Sequence, residues 1–163
     1  MISSFKGKAP RIAESAFVSE SAHVIGDVEI GEGSTVWYGV VIRADYGKGE
    51  IGGGMKIGNN SLIGGTIMDP CLTEIGDNCT MGLYSVIYGH IHDYEKETLT
   101  LSGITIGNNV VVGAGVIIMP GAVIEDDVKI AAGAVVTKGQ VLKKGKVYGG
   151  MPAKEIKTKS RKK

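Results

Sequence analysis

Residues 104–136 read ITIGNNVVVGAGVIIMPGAVIEDDVKIAAGAVV, and an aliphatic residue returns at every sixth position: Ile106, Val112, Ile118, Ile124, Ile130 and Val136. The same beat runs back through Val18, Val24, Ile30, Val36 and Ile42, then Ile51, Ile57, Ile63, Ile75, Met81 and Ile87, and forward to Leu142. Only Asp69 breaks the register inside a block. So short and persistent a period belongs to repeat architectures, in which each unit buries its apolar face against its neighbours. Each unit predicts a short strand and a turn. Three units make a triangular coil, and coils stack at the spacing of paired strands, about 4.8 Å. The repeating aliphatic points inward, while Gly and small residues such as Ala122 and Ala134 suit tight corners. The expected fold class is an all-β solenoid, a parallel β-helix shaped as a triangular prism. The period alone does not set its handedness.

Composition agrees. Glycine makes up 26 of 163 residues and proline only 4, an excess of turn glycine, against a norm of about 7% glycine. Aromatic residues contribute 6%, as a narrow core of stacked aliphatic rungs requires. The formal net charge of +1 argues against bulk attraction to nucleic acid or membrane. Two cysteines, Cys71 and Cys79, do not make a disulfide framework and read as reduced thiols. Lys6, Lys8 and Arg11 are followed by no long apolar run, and no stretch approaches the roughly 20 apolar residues of a membrane span. The expectation is a soluble, cytoplasmic protein.

The length predicts one domain over 1–163. Within it, 1–15 is a lead-in covering the first rung, and 16–142 is the repeat. Residues 143–163 are a short C-terminal helix or basic tail, entered through GGMPAK and ending in KEIKTKSRKK. Two interruptions divide the repeat. The first, RADYGKGE, lies between Ile42 and Ile51; the second, YGHIHDYEKETLTLSGIT, contributes the predicted loop 88–105. A long excursion from a tight solenoid is a natural place for function. With three units per coil, residues eighteen apart stack, so Cys71 and Leu72 are expected beside Gly89 and His90.

Several stretches carry a resemblance over about residues 10–157. STVWYGVVIRADYGKGEIG (34–52), IGNNSLIGG and IGDNCTMG are similar to γ-class carbonic anhydrases, with Ala44 where that group has Gly in an Arg-Gly-Asp sequence. The C-terminal IGNNVVVGAGVIIMPGAVI, AAGAVVTKG and GGMPAK are shared with hexapeptide acyltransferases. The chain thus resembles left-handed β-helix hexapeptide-repeat proteins. This resemblance implies the left hand, a homotrimer, and an ion pair between subunits made by Arg43 and Asp45. One fold serves both chemistries, so the activity must be sought in particular residues.

The carbonic anhydrase reaction uses three histidines to hold a metal that acidifies a bound water. By resemblance their places fall at Met68–Pro70, Leu83 and Tyr88, and none is histidine. The family's three-histidine site is therefore absent. His90 and His92 could be joined by Cys71 and Asp69 in a displaced metal site; two surface histidines at a loop mouth are the plainer reading. Asp69 itself can be accommodated if Pro70 bulges the strand and Met68 turns inward.

GLYSVIYGHIHD (82–93) also resembles the acetyltransferase segment that carries the catalytic histidine. That similarity puts His90 at the general base and Asp93 at the aspartate that follows it. Ile91 stands in place of the usual proline, and His92 is an alternative base. Imidazole suits the task, with an unperturbed pKa near about 6.5. In such enzymes acyl-CoA, commonly acetyl-CoA, lies between subunits along small-residue corners. The matching positions are Gly113, Ala114, Gly115, Ala132, Thr137 and Lys138, with Lys138 suited to a phosphate. Solenoid corners need small residues anyway, which explains the glycines equally well. Three functions stand open: a CoA-dependent acyltransferase acting on a small hydroxyl or amine acceptor, a divergent carbonic-anhydrase-like protein, and a non-catalytic trimeric scaffold.

Overall fold

The computed structural model describes residues 1–44, 54–68, 72–93 and 95–156. The chain winds as a left-handed parallel β-helix whose three faces are three parallel sheets. In order along the axis, the first sheet contains Ile2–Ser3, His23–Gly26, Val41–Ala44, Thr66–Met68, Val86–Tyr88, Ile117–Ile118 and Val135–Val136. The second contains Arg11–Ile12, Val28–Ile30, Met55–Ile57, Thr73–Ile75, Ile104–Ile106, Val123–Ile124 and Val141–Leu142. The third runs from Phe17–Val18 through Thr35–Val36, Leu62–Ile63, Thr80–Met81, Val111–Val112 and Lys129–Ile130 to Val147–Gly149, with Lys154–Glu155 added at its end.

The core is the stack of inward aliphatics. Ile30, Ile42, Ile57, Ile63, Ile87 and Ile118 are each no more than 1% exposed. Full burial of such a side chain contributes roughly 1.5–3 kcal/mol, and a column of them is the main stabilising term. Two further ladders hold the corner between the second and third sheets. On its inner side, Ser34 Oγ donates to Gly58 O at 2.7 Å and accepts from Ser61 N at 3.0 Å. Ser61 Oγ repeats the pattern one coil on, donating to Gly76 O and accepting from Cys79 N, both at 3.0 Å. Cys79 Sγ ends the series against Gly107 O at 3.0 Å. On its outer side, the side-chain Oδ1 atoms of Asn59, Asp77, Asn108 and Asp126 accept from the backbone N–H groups of Glu32, Asn59, Asp77 and Asn108, at 2.7–2.9 Å. Asn60, Asn78, Asn109 and Asp127 follow with φ between 52° and 60°, a left-handed conformation that Asn and Asp tolerate better than other side chains.

Four sequence expectations need amendment. First, Ile67, and not position 69, is the inward residue of its coil, stacked between Ile42 and Ile87. Met68 is half-buried and does not turn into the core. The cause is the corner before it. Only Gly64, Gly65 and Thr66 separate Ile63 from Ile67, two residues fewer than a regular unit, and seven residues then separate Ile67 from Ile75, two more than a regular unit. Glycine is needed at this cut corner, because a Cβ on Gly65 would lie 2.6 Å from Ser85 O. Asp69, Pro70 and Cys71 lie outside the described residues, as does Ile51.

Second, the excursion after Tyr88 is a β-hairpin and not an irregular loop. His90–Asp93 pairs antiparallel with Thr98–Leu101, in the register His90↔Leu101 and His92↔Leu99. The alternating TLTL sequence suits a strand. Third, the lead-in 1–15 is part of the prism, because Ile2–Ser3 and Arg11–Ile12 already form rungs. Fourth, among the described residues no helix follows Leu142. Val147–Gly149 continues the third sheet, and the chain folds back so that Lys154–Glu155 pairs antiparallel with it. Tyr148 takes the inward place of an aliphatic at that rung, and its hydroxyl accepts from Lys143 N at 2.9 Å. Residues 157–163 lie outside the described residues.

The lead-in is clamped electrostatically. Lys8 Nζ and Arg11 NH1 meet the Asp27 carboxylate at 2.7 and 2.9 Å, and that side chain is only 17% exposed. Hydrogen bonds from Lys8, then Arg11, hold the Asp27 carboxyl below its ordinary range.

Two outcomes are expected. Ser61→Ala removes both a donor and the acceptor for a buried N–H, and should cost about 1–3 kcal/mol, read by chemical denaturation; Ser15→Ala, at an exposed site, is the small-effect control. Because the folded-state pKa of Asp27 is depressed, its contribution is present above the unfolded carboxylate pKa, about 3.9. It should fade as pH falls through the lower, folded value. Hydrogen exchange in residues 2–12 should therefore accelerate below about pH 4, and Asp27→Asn should reproduce that loss at neutral pH.

Candidate functional site

Every lengthening of the coil falls, in sequence, between a strand of the first sheet and the next strand of the second, whereas the shortened step at Gly64–Gly65 lies between the third and first sheets. In the sequence these longer steps run from Ala44 to Gly54, from Met68 to Leu72 and from Tyr88 to Ile104; residues 45–53 and 69–71 lie outside the described residues. The described excursion is the one after Tyr88, which leaves the ladder at this edge of the prism and returns to it at Ile104.

The hairpin anchors this cluster. Gly89 N donates to Met68 O at 3.3 Å, and Ser102 N donates to Gly89 O at 3.0 Å, which ties its entry to its exit. Ile104 N then reaches Leu72 O at 3.2 Å. Met68 pairs with Tyr88, an offset of twenty residues and not eighteen. Leu72 therefore lies beside the hairpin's exit, and its expected neighbourhood with His90 is corrected by the two-residue slip at Gly64–Gly65. Cys71 lies outside the described residues.

His90 and His92 alternate on the hairpin strand and come together on one side of it. Their ring centroids are 5.1 Å apart with planes at 90°. His90 is half-buried, with its Nδ1 shielded from solvent, while His92 is exposed. The side chain of Asp93 lies outside the described residues. No group of three or more His, Cys, Asp and Glu side chains among the described residues is placed to hold a metal ion. His23 stands on the outer face of the first sheet, three strands from Val86–Tyr88.

The other predicted residues divide between two edges. Lys138 is exposed on the same edge as the hairpin, and Arg43 lies there on the first sheet beside Met68; Asp45 lies outside the described residues. Thr137 is held by Gln140, whose Oε1 accepts from Thr137 N at 3.0 Å and from its Oγ1 at 3.2 Å. Gln140 Nε2 in turn donates to Ala153 O at 2.6 Å, so this turn also fixes the C-terminal return. Ala114, Gly115 and Ala132 sit on the opposite edge, at the corner between the third and first sheets. Gly115 has φ 66° and open space where a Cβ would be. The strand between the two edges spans about 16 Å, five residues at about 3.3 Å each. Within one chain the two halves of the predicted site do not meet.

Of the positions matched to the family's metal ligands, Met68–Pro70, Leu83 and Tyr88, those within the described residues are Met68, Leu83 and Tyr88. Met68 and Tyr88 are half-buried neighbours, and Leu83 is 55% exposed on the opposite corner, where its side chain leans over Gly64. These side chains do not fit a divalent metal, so no metal-dependent step is assigned to them. Sequence reading missed Tyr84. This residue is 86% exposed and has φ 60°, at a turn position held by Gly39, Gly115 and Gly133 on other coils. The signal was present as an aromatic in a glycine column. Cys79 also resolves as structural: burial raises its thiol pKa, and it serves the inner ladder.

Comparison with known proteins follows the geometry. The model of the bacterial transferase hexapeptide (six repeats) matches residues 9–44 and 103–138. The chain is 42% identical over 112 residues to the mitochondrial gamma carbonic anhydrase 1 of Arabidopsis thaliana, a match covering 64% of this chain and 39% of that protein's length. A hexapeptide transferase family protein from Anaplasma phagocytophilum superposes with a TM-score of 0.72 at 32% identity, covering 99% of this chain and 86% of its own. A galactoside acetyltransferase in complex with coenzyme A superposes at 0.64 with 31% identity, over 80% of this chain and 63% of that one. The chain belongs to the hexapeptide-repeat family of left-handed β-helix proteins, which includes both γ-carbonic-anhydrase-like proteins and hexapeptide transferases.

Proposed function

We propose that this protein is a trimeric acyl-CoA-dependent transferase in which His90 is the general base. The observation that carries the reading is the imidazole at the root of the hairpin: half-buried, Nδ1 shielded, and its ring set edge-on against His92. With Nδ1 shielded, Nε2 is the nitrogen that meets an acceptor. It takes the proton from a small hydroxyl or amine as that group attacks the thioester carbonyl. The tetrahedral adduct then collapses, the carbon–sulfur bond breaks, and the imidazolium returns the proton to the departing thiolate. A base of this kind contributes roughly 10²–10⁴ in rate.

Acyl-CoA would lie along the Ala114–Gly115 and Ala132 corner, where backbone is accessible, with Lys138 directed to a phosphate. These groups occupy opposite edges of the first sheet, so the reading requires two copies to form each site. The outer face of that sheet suits the contact. Val41, Met68, Val86, Ile117 and Val135 supply half-buried apolar positions on it, beside His23, Arg43 and Thr66. The second sheet, by contrast, turns Arg11, Glu29, Lys56 and Glu74 outward.

The test is acetyl-CoA binding followed by transfer. Millimolar acetyl-CoA should raise the melting temperature by several degrees, and His90→Ala should lower thiol release in the presence of an acceptor at least 100-fold. The variant's own melting temperature should change little. No shift and no thiol release across an acceptor panel would overturn the reading in favour of a scaffold. Stoichiometric zinc, iron or cobalt in protein purified without chelator would instead favour a carbonic-anhydrase-like function.

A further inference from the structure

The formal net charge of +1 conceals a separation of charge along the prism axis. Residues 1–124 carry seven basic and thirteen acidic groups, whereas residues 125–163 carry eleven basic and four acidic. Coils stack in chain order, so this boundary in sequence is also one in space. Every described residue from Lys129 onward lies within two coil spacings of the C-terminal end, or about 10 Å.

Part of that charge is answered locally. Lys143 meets Glu125 at 2.7 Å, Lys144 meets Asp126 at 3.2 Å and Asp127 at 3.7 Å, and Lys146 meets Glu155 at 3.1 Å. These pairs use all four acids. Lys129, Lys138 and Lys154 are exposed on the same end. Five further basic residues and no acid follow in the sequence at 157–163.

Exposed apolar side chains stand among these lysines. The chain returns over the last strand of the first sheet, where Val135 N donates to Gly150 O at 3.0 Å and Ala153 N donates to Val135 O at 2.7 Å. Met151 on this turn is 76% exposed, and Ile156 after it is 44% exposed.

We propose that the C-terminal end of the prism docks on an anionic phospholipid surface, with its basic side chains among the headgroups and Met151 entering the interface. Charge complementarity selects an anionic partner, and three observations select a lipid surface. The only aromatic residue in 128–163 is Tyr148, which is 7% exposed, so this end has no platform on which bases could stack. An exposed methionine beside lysines has no use against a phosphate backbone, but a basic patch joined to an apolar group is the pair of signals that holds a protein on a bilayer. A second copy stacked end to end is a poor complement, because its N-terminal end presents Lys6, Lys8 and Arg11, with no acid before Glu14.

The test is co-sedimentation of the full chain with lipid vesicles, and it is independent of acetyl transfer. The protein should pellet with phosphatidylcholine vesicles containing phosphatidylglycerol and stay in solution with phosphatidylcholine alone. Binding should vanish at about 1 M salt, where screening acts within about 3 Å. A basic residue near such a surface contributes about fivefold in affinity. Replacing Lys157, Lys159, Arg161, Lys162 and Lys163 together by Gln should therefore weaken binding at least 100-fold. Met151→Ser should weaken it about tenfold, and the melting temperatures of both variants should be unchanged. No pelleting with the mixed vesicles at low salt, equal pelleting with neutral vesicles, or undiminished binding by either variant overturns the proposal. Gel-shift of a single-stranded RNA without vesicle binding overturns it in favour of a nucleic-acid partner.

Discussion

Everything in this molecule depends on the vertical stacking of inward aliphatic side chains. Each rung must arrive directly beneath the last, because parallel ladders on three faces leave no freedom to drift. The coil is therefore held to a fixed number of residues, and any surplus must leave and return at a corner. Val18–Val36 and Ile106–Ile124 show the undisturbed case, with eighteen residues between stacked partners. Between Ile75 and Ile106 the same stacking is kept across thirty-one residues, because the hairpin is expelled whole.

The corner ladders convert this geometric requirement into specific residue choices. A sharp turn turns backbone N–H groups outward, and each must find an acceptor. Asn59, Asp77, Asn108 and Asp126 provide one apiece, each serving the coil before it. At the last of these, the Asp126 carboxyl is held low chiefly by the Asn108 N–H and secondarily by Lys144. The inner Ser34–Ser61–Cys79 series does the same work without charge, as burial demands. At the C-terminal end of the third sheet the antiparallel Lys154–Glu155 adds a charged edge strand, which blunts edge-to-edge association.

Much of this was legible in the chain because the period is a direct image of the stacking. The rungs at Val18–Ile42 and Ile106–Leu142 needed no structure. Asp69 marked the slip correctly but did not reveal its size, since a four-residue step through Gly64–Gly65 looks like an ordinary glycine turn in sequence. The strand at Val147–Gly149 was hidden because Tyr148 replaces the expected aliphatic. His90 and His92 were identifiable as chemistry-bearing residues, but their edge-on contact arises from hairpin pairing that a local motif does not encode. The split of Ala114, Gly115 and Ala132 from Lys138 was invisible for a related reason. Both groups follow rungs in the repeat, and only the winding shows that those rungs belong to different sheets.

The substitutions at the family's metal positions are chemically coherent. By resemblance the family's three imidazoles fall at Met68–Pro70, Leu83 and Tyr88, and the described side chains there, Met68, Leu83 and Tyr88, bind divalent metal poorly. A chain that had merely lost its ligands would be free to put any small or polar residues there. Here Met68 packs beside Tyr88, and Leu83 covers the recess at Gly64, while the nearby hairpin carries two new imidazoles. These positions therefore offer packing surface where the family has imidazoles, and the imidazole pair that this chain does carry stands on the hairpin.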